Sequence, residues 1–269
     1  MKIGILGCGY IGQAAAKFWK NKGHEISVTT RHSSKKEFLS PFADYVYCLD
    51  KDTLEEFLKN QEILIISVAP DSKNEYQNTY LGIADKITQC IPYLSSLRQL
   101  IYTSSTSVYG EYQGAWTDEK TLPLALNDHT KILLETENTL LQCRSASRKI
   151  CIYRLGEIYG PERDILDRLK RMSSQPFPGN GENFTNMIHQ EDVVNALDFA
   201  LTQQLDGLFN LCNDFHIPRK EFYNKLCLIN GLKPIEWDSS LKSFHGGNKR
   251  VSNDKLKKLG FEFVYPQYF

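Results

Sequence analysis

The chain has 269 residues, with 32 Lys and Arg against 32 Asp and Glu, so its formal net charge is zero. This length carries one sizeable core, or a core with a smaller lobe, and the balanced charge points to neither a nucleic-acid nor a membrane partner. Seven cysteines, none in a Cys-x-x-Cys pair, suit a reducing compartment and argue against a disulfide framework or a metal site.

The first apolar stretch is only a few residues long, so no signal peptide is expected, and no run approaches the ~18 apolar residues of a bilayer span. A cytoplasmic location is the expectation.

The first predicted strand, Lys2–Leu6, runs straight into Gly7-Cys8-Gly9-Tyr10-Ile11-Gly12, with a helical pattern following to residue 21. A Gly-x-Gly-x-x-Gly turn in this setting offers bare backbone and a helix N-terminus to a dinucleotide pyrophosphate. Gly7 permits the tight turn, Gly9 the approach of the phosphates, and Gly12 the packing of helix on strand. Tyr10 and Ile11 complete the candidate cofactor-binding turn.

Further short apolar runs read as buried parallel strands at 25–30, 45–49, 63–68, 99–103 and 150–155. Helical patterns lie between them at 53–59, 80–94 and 130–141. Six such strand–helix repeats predict an α/β fold, a doubly wound parallel sheet of Rossmann type with ligands at the carboxyl ends of the strands.

The second strand ends Val28-Thr29-Thr30-Arg31-His32-Ser33, with no acid to accept a ribose 2′-OH. Arg31 and Ser33 can instead meet a 2′-phosphate, which favours NADP(H) and leaves NAD(H) as the alternative; Arg31 as a plain solvated arginine is the competing reading. Asp50 ends the third strand and can either bind adenine or cap the helix near Thr53. Ala69, just past the fourth strand, is a further candidate cofactor contact.

Beyond residue 156 the alternation loosens, with Pro161, Pro176, Pro178, Gly179 and Gly181 marking loops. Helices are expected at 190–201, 218–230 and 253–259, and a strand at 207–212. The expected organisation is a core over 1–155, and a region over 156–269 that completes it and forms a small α/β cap on the substrate side.

Several segments together resemble the extended short-chain dehydrogenase/reductases of the NAD(P)-dependent epimerase/dehydratase group. They are the glycine turn, Ser104-Ser105-Thr106-Ser107-Val108-Tyr109-Gly110, Arg154-Leu155-Gly156-Glu157-Ile158-Tyr159-Gly160-Pro161, Asn186-Met187-Ile188-His189 and Lys249-Arg250-Val251-Ser252-Asn253. The resemblance covers nearly the whole chain and is nearest to the atypical YeeZ-like subgroup. It implies oxidoreductase or epimerase-like chemistry on a small, sugar-related substrate.

The resemblance maps the family's catalytic serine to Ser105, and its ribose-binding lysine to Lys131. The family's tyrosine belongs four residues before that lysine, where this chain has Asn127. Asparagine cannot act as a phenolate base, so either another group replaces the tyrosine, or the chemistry needs no strong base, or the protein binds cofactor without turnover.

Tyr109 is one substitute, set against a reading as a packing residue. His129 points about 160° away from Lys131 at ~100° per residue, and Asp128 suits the start of a helix. Tyr159 is a candidate substrate contact. Arg154 can serve either the substrate or a structural salt bridge, and His189 reads as architecture. The resemblance sets Arg250 toward an anionic substrate. The predicted helices at 80–94 and 130–141 could pair two copies as a homodimer.

Overall fold

The computed structural model describes residues 1–125, 127–172, 175–241 and 247–269. Seven strands form the main sheet: β1 (Lys2–Leu6), β2 (Glu25–Thr30), β3 (Tyr45–Cys48), β4 (Ile63–Ile66), β5 (Gln99–Ser105), β6 (Lys149–Leu155) and β7 (Gly207–Leu211). Their order in space is β7-β6-β5-β4-β1-β2-β3, and the pairs from β3 through β2, β1 and β4 to β5 run parallel. Strand order therefore reverses beside β1, the point at which doubly wound sheets open a ligand crevice at their carboxyl ends.

The principal helices are α1 (Tyr10–Asn21), α2 (Leu54–Leu58), α3 (Leu81–Cys90), α4 (Asp128–Leu141), α5 (Ile165–Met172), α6 (Gln190–Thr202) and α7 (Arg219–Ile229). Helix α5 was not anticipated from the sequence. Its apolar positions Ile165, Leu166, Leu169 and Met172 do fall at helical spacing, but over only eight residues between flanking loops.

The chain forms two compact units. One holds residues 1–105, 131–154 and 193–209, the other 106–130, 155–192 and 210–269. Residues 106–130 thus belong with the later part of the chain and 193–209 with the earlier part.

In the first unit, Leu64, Ile66, Leu100, Tyr102, Ile150 and Ile152 of the sheet pack with Phe57 and Leu58 of α2, Ala84 and Ile87 of α3, and Leu140 of α4. Each such aliphatic side chain contributes about 1.5–3 kcal/mol on burial. Helix α1 buries Ala15, Ala16 and Trp19. The Trp19 indole N–H donates to Asp198 of α6 at 2.8 Å, and the Lys22 ammonium reaches the other oxygen of that carboxylate at 2.7 Å.

The second unit has its own core of Tyr159, Ile165, Leu169, Phe177, Met187, Phe222 and Leu226. Short parallel pairs join Glu157–Tyr159 to Met187–His189 and Trp116–Thr117 to Arg250–Val251. The C-terminal tail is anchored by the buried Asp192 carboxylate, which accepts from the amides of Val264 at 2.7 Å and Tyr265 at 3.1 Å.

A buried ion pair ties β6 to α4. Arg154 and Glu137 are both almost wholly buried and meet at 2.6 Å, and the Ser104 hydroxyl donates to the same carboxylate at 2.5 Å. This decides between the two readings of Arg154: it is the salt-bridge partner. Breaking one side of such a pair strands a buried charge. Arg154→Met should therefore lower the unfolding free energy by about 3–5 kcal/mol in denaturant titrations; an unchanged midpoint would show that the pair does not support the fold.

Candidate active site

The glycine turn at the end of β1 divides its labour among three residues. Gly7 sits at φ +93°, a left-handed conformation, and a Cβ there would lie 2.6 Å from the Ser67 carbonyl oxygen. A Cβ on Gly12 would lie 2.4 Å from the Gly7 carbonyl oxygen, so that glycine lets α1 pack close against the turn. A Cβ on Gly9 would meet nothing within 4 Å.

Gly9 is also the N-cap of α1, with no side-chain cap hydrogen bond and no acid in the first turn. The start of the helix thus carries a partially positive field with neither a side-chain cap nor an acid to answer it. That is a cradle for an anion, and it fits a dinucleotide pyrophosphate. Tyr10 and Ile11 form the first turn, with Ile11 buried. The Gly7 amide donates to the Thr29 hydroxyl at 2.9 Å, which fixes the turn against β2.

Arg31 follows β2 as expected, but it is neither isolated nor far from acid. Its guanidinium meets Asp71 at 2.6 Å and Glu75 at 2.9 Å, and donates to the Ala69 carbonyl at 3.2 Å. These two acids arrive from beyond β4, about forty residues on, so the sequence around Arg31 does not show them. Ser33 is exposed in the short turn Ser33–Lys35.

Asp50 accepts from the Cys48 thiol at 2.6 Å. The cap of α2 is Thr53, in a reciprocal box with Glu56, so Asp50 does not cap that helix. Ala69 is exposed, and its contribution here is the carbonyl that Arg31 holds.

Leu6, Ile66 and Tyr102 stand in register on β1, β4 and β5, so the glycine turn and the end of β5 lie along one edge of the sheet. Ser105 is half-buried at that end of β5, and Lys131 is exposed in the first turn of α4.

Asn127, at the position of the family's tyrosine, precedes α4 and caps it. Its side-chain oxygen accepts from the Thr130 amide at 3.0 Å, and the Thr130 hydroxyl donates to its carbonyl at 2.9 Å. The helix starts at Asp128 rather than 130 as a result, with the His129 ring half-buried. A tyrosine does stand four residues before a lysine once in the chain, at Tyr47 and Lys51, but that pair spans the end of β3 and a turn.

In the second unit, Tyr109 is fully buried, and its phenol donates to the Asn210 side chain at 2.8 Å. Asn210 in turn donates to the Ser252 carbonyl at 3.0 Å. The phenol is thus held inside the second unit by its neighbours.

Tyr159 is 8 % exposed and packs on His189 and Tyr268; burial pushes its phenol up to about 12. His189 lies against the Tyr265 ring at 3.7 Å, and burial lowers its pKa. Arg250 donates to the Gly114 carbonyl at 2.8 Å, and its guanidinium lies over the rings of Trp116 and Phe184. The loop before it opens at Gly246, outside the described residues.

Nothing in the local sequence signals the burial of Lys249. It is 5 % exposed, with its ammonium donating to the Gly110 carbonyl at 3.2 Å. Burial drives its pKa down from 10.5 to about 8; the charge of Arg219 adds to this and that of Glu111 opposes it. Among the described residues, no cluster of His, Cys, Asp and Glu could hold a metal ion, and no helix is long and apolar enough to cross a membrane.

The family model of the NAD dependent epimerase/dehydratase family matches residues 3–212. The chain belongs to this family. Protein YeeZ of Escherichia coli K12 is 28 % identical over 98 % of this chain and 96 % of its own length. The epimerase/dehydratase fold also appears in solved structures. The human epimerase family protein SDR39U1 with NADPH superimposes with a TM-score of 0.79 at 15 % identity, covering 99 % of this chain and 96 % of that one. MoeE5 in complex with UDP-glucose and NAD superimposes at 0.80 with 19 % identity, covering 98 % and 93 %. Two different nicotinamide dinucleotides thus occur on this fold.

Lys249 gives a pH test of the second unit. Between about pH 8 and its ordinary 10.5 the unfolded chain holds a proton that the folded one has released, so this lysine makes stability rise with pH across that window. Lys249→Met should stabilise the protein at neutral pH and flatten that rise in melts taken from pH 7 to 10. An unaltered slope would contradict the depressed pKa.

Proposed function

We propose that this epimerase/dehydratase-family protein is an NADP-preferring oxidoreductase or epimerase-like enzyme acting on a small, sugar-related substrate. The observation that carries the reading is the N-terminus of α1, with no side-chain cap, no acid in its first turn and open space for a Cβ at Gly9. A nicotinamide dinucleotide held there supplies hydride transfer. The Gly9–Gly12 amides would take the pyrophosphate and Arg31 the 2′-phosphate. Ser105 would hold the oxygen of the carbonyl or alcohol undergoing change, and Lys131 would orient the nicotinamide ribose.

Two features of the chain limit the proton chemistry. The family's tyrosine is replaced by the helix cap Asn127, and the Tyr109 phenol is spent on Asn210. A positioned acid or base contributes roughly 10²–10⁴-fold, so turnover should be slow or should draw its proton from the substrate or solvent. The same pair of observations favours a second reading, an NADP(H)-binding sensor without turnover. We assign Tyr159 and Arg250 to shaping the second unit, since each is already engaged by its neighbours.

Calorimetric titration of the purified chain with NADPH and then NADH tests the cofactor assignment. NADPH should bind more tightly. Gly9→Val should abolish binding of both while leaving the melting temperature nearly unchanged, because a side chain there meets only open space. Wild-type protein that binds neither nucleotide, or a Gly9→Val variant that binds normally, would refute the assignment. With binding established, NADPH oxidation dependent on an added substrate and lost in Ser105→Ala separates the enzyme from the sensor.

A further inference from the structure

Arg31 does not simply project from the end of β2. Strands β4 and β2 flank β1, so a side chain that starts beyond β2 and ends on Ala69, Asp71 and Glu75 beyond β4 crosses the carboxyl end of β1. That end is the glycine turn. The guanidinium spends one nitrogen on Glu75 at 2.9 Å and another on Asp71 at 2.6 Å and the Ala69 carbonyl at 3.2 Å. Asp71 also faces the His32 ring at 3.8 Å.

All of these charges are partly exposed: Arg31 by 41 %, Asp71 by 60 % and Glu75 by 48 %. Pairs of this kind are individually weak and readily exchanged. Two carboxylates occupy the fork that a phosphate dianion would need, and a phosphate placed on the same fork would face their negative charge at close range.

We propose that Asp71 and Glu75 are the specificity-determining residues of the adenosine end. They hold Arg31 in two ion pairs, and a 2′-phosphate gains the guanidinium only by displacing them. The inference rests on the dinucleotide reading of the glycine turn and adds to it two residues that no motif points to. NADPH pays the exchange (breaking two ion pairs to make a new one), whereas NADH, which has no phosphate to offer, does not draw on it. The two acids therefore compress the preference for NADPH that Arg31 alone would give.

The test uses the full chain in three forms: wild type, the double variant Asp71→Asn/Glu75→Gln, and that double variant with Arg31→Ala. Each is titrated with NADPH and NADH at low ionic strength. The double variant should bind NADPH roughly three- to tenfold more tightly, the range expected from releasing two exposed ion pairs. NADH affinity should stay within about twofold, and the added Arg31→Ala should erase the gain. Unchanged or weakened NADPH binding in the double variant would overturn the proposal while leaving wild-type binding, and the dinucleotide reading, intact. Wild-type protein that binds neither nucleotide would overturn both.

Discussion

A Cβ at position 12 would sit 2.4 Å from the carbonyl oxygen of Gly7, and one at position 7 would sit 2.6 Å from the Ser67 carbonyl oxygen. The first helix therefore starts hard against the end of the first strand, and that strand's turn lies hard against the end of the fourth. The remaining features of the edge follow from this closeness. The amides of α1 are delivered to one spot, the Gly7 amide is fixed by the Thr29 hydroxyl, and Ile66 is left in register with Tyr102 so that β5 ends at the same edge. Of the three glycines only Gly9 leaves room for something else, and the dipole of a helix start with no side-chain cap favours an anion there.

Around this edge the first unit is stiffened by charge as well as by apolar packing. Arg154 and Glu137 form a pair with almost no exposure, and Ser104, the neighbour of the proposed substrate-holding serine, is the third member. Burying such a group costs desolvation that good geometry must offset. What it gains here is position: the end of β5, the body of α4 and the end of β6 are joined through one carboxylate. Ser105 and Lys131 lie on two of those elements, so their placement depends on a network that takes no part in the chemistry itself.

The glycine turn could be read from the sequence because all its constraints fall within six residues and are set by the absence of side chains. The sheet could be read too, since Ile63-Leu64-Ile65-Ile66 and Ile150-Cys151-Ile152 are buried on both faces and show it as unbroken apolar runs. The loss of the tyrosine at 127 was visible, but the reason for what replaced it was not: the capping role of Asn127 becomes plain only with the Thr130 hydrogen bonds. What stayed hidden was pairing across distance. Arg31 gave no hint of Asp71 and Glu75, Arg154 none of Glu137, and Lys249 looked like any surface lysine until its burial was seen.

The central claim is that the bare start of α1 is where a dinucleotide pyrophosphate rests. Amide hydrogen exchange, followed residue by residue with and without saturating NADPH, tests it most directly. The account predicts marked slowing at the amides of residues 9–12, with little change in the core strands that are already protected. Binding of NADPH with no added protection in that segment would contradict it, and would place the nucleotide elsewhere on the chain.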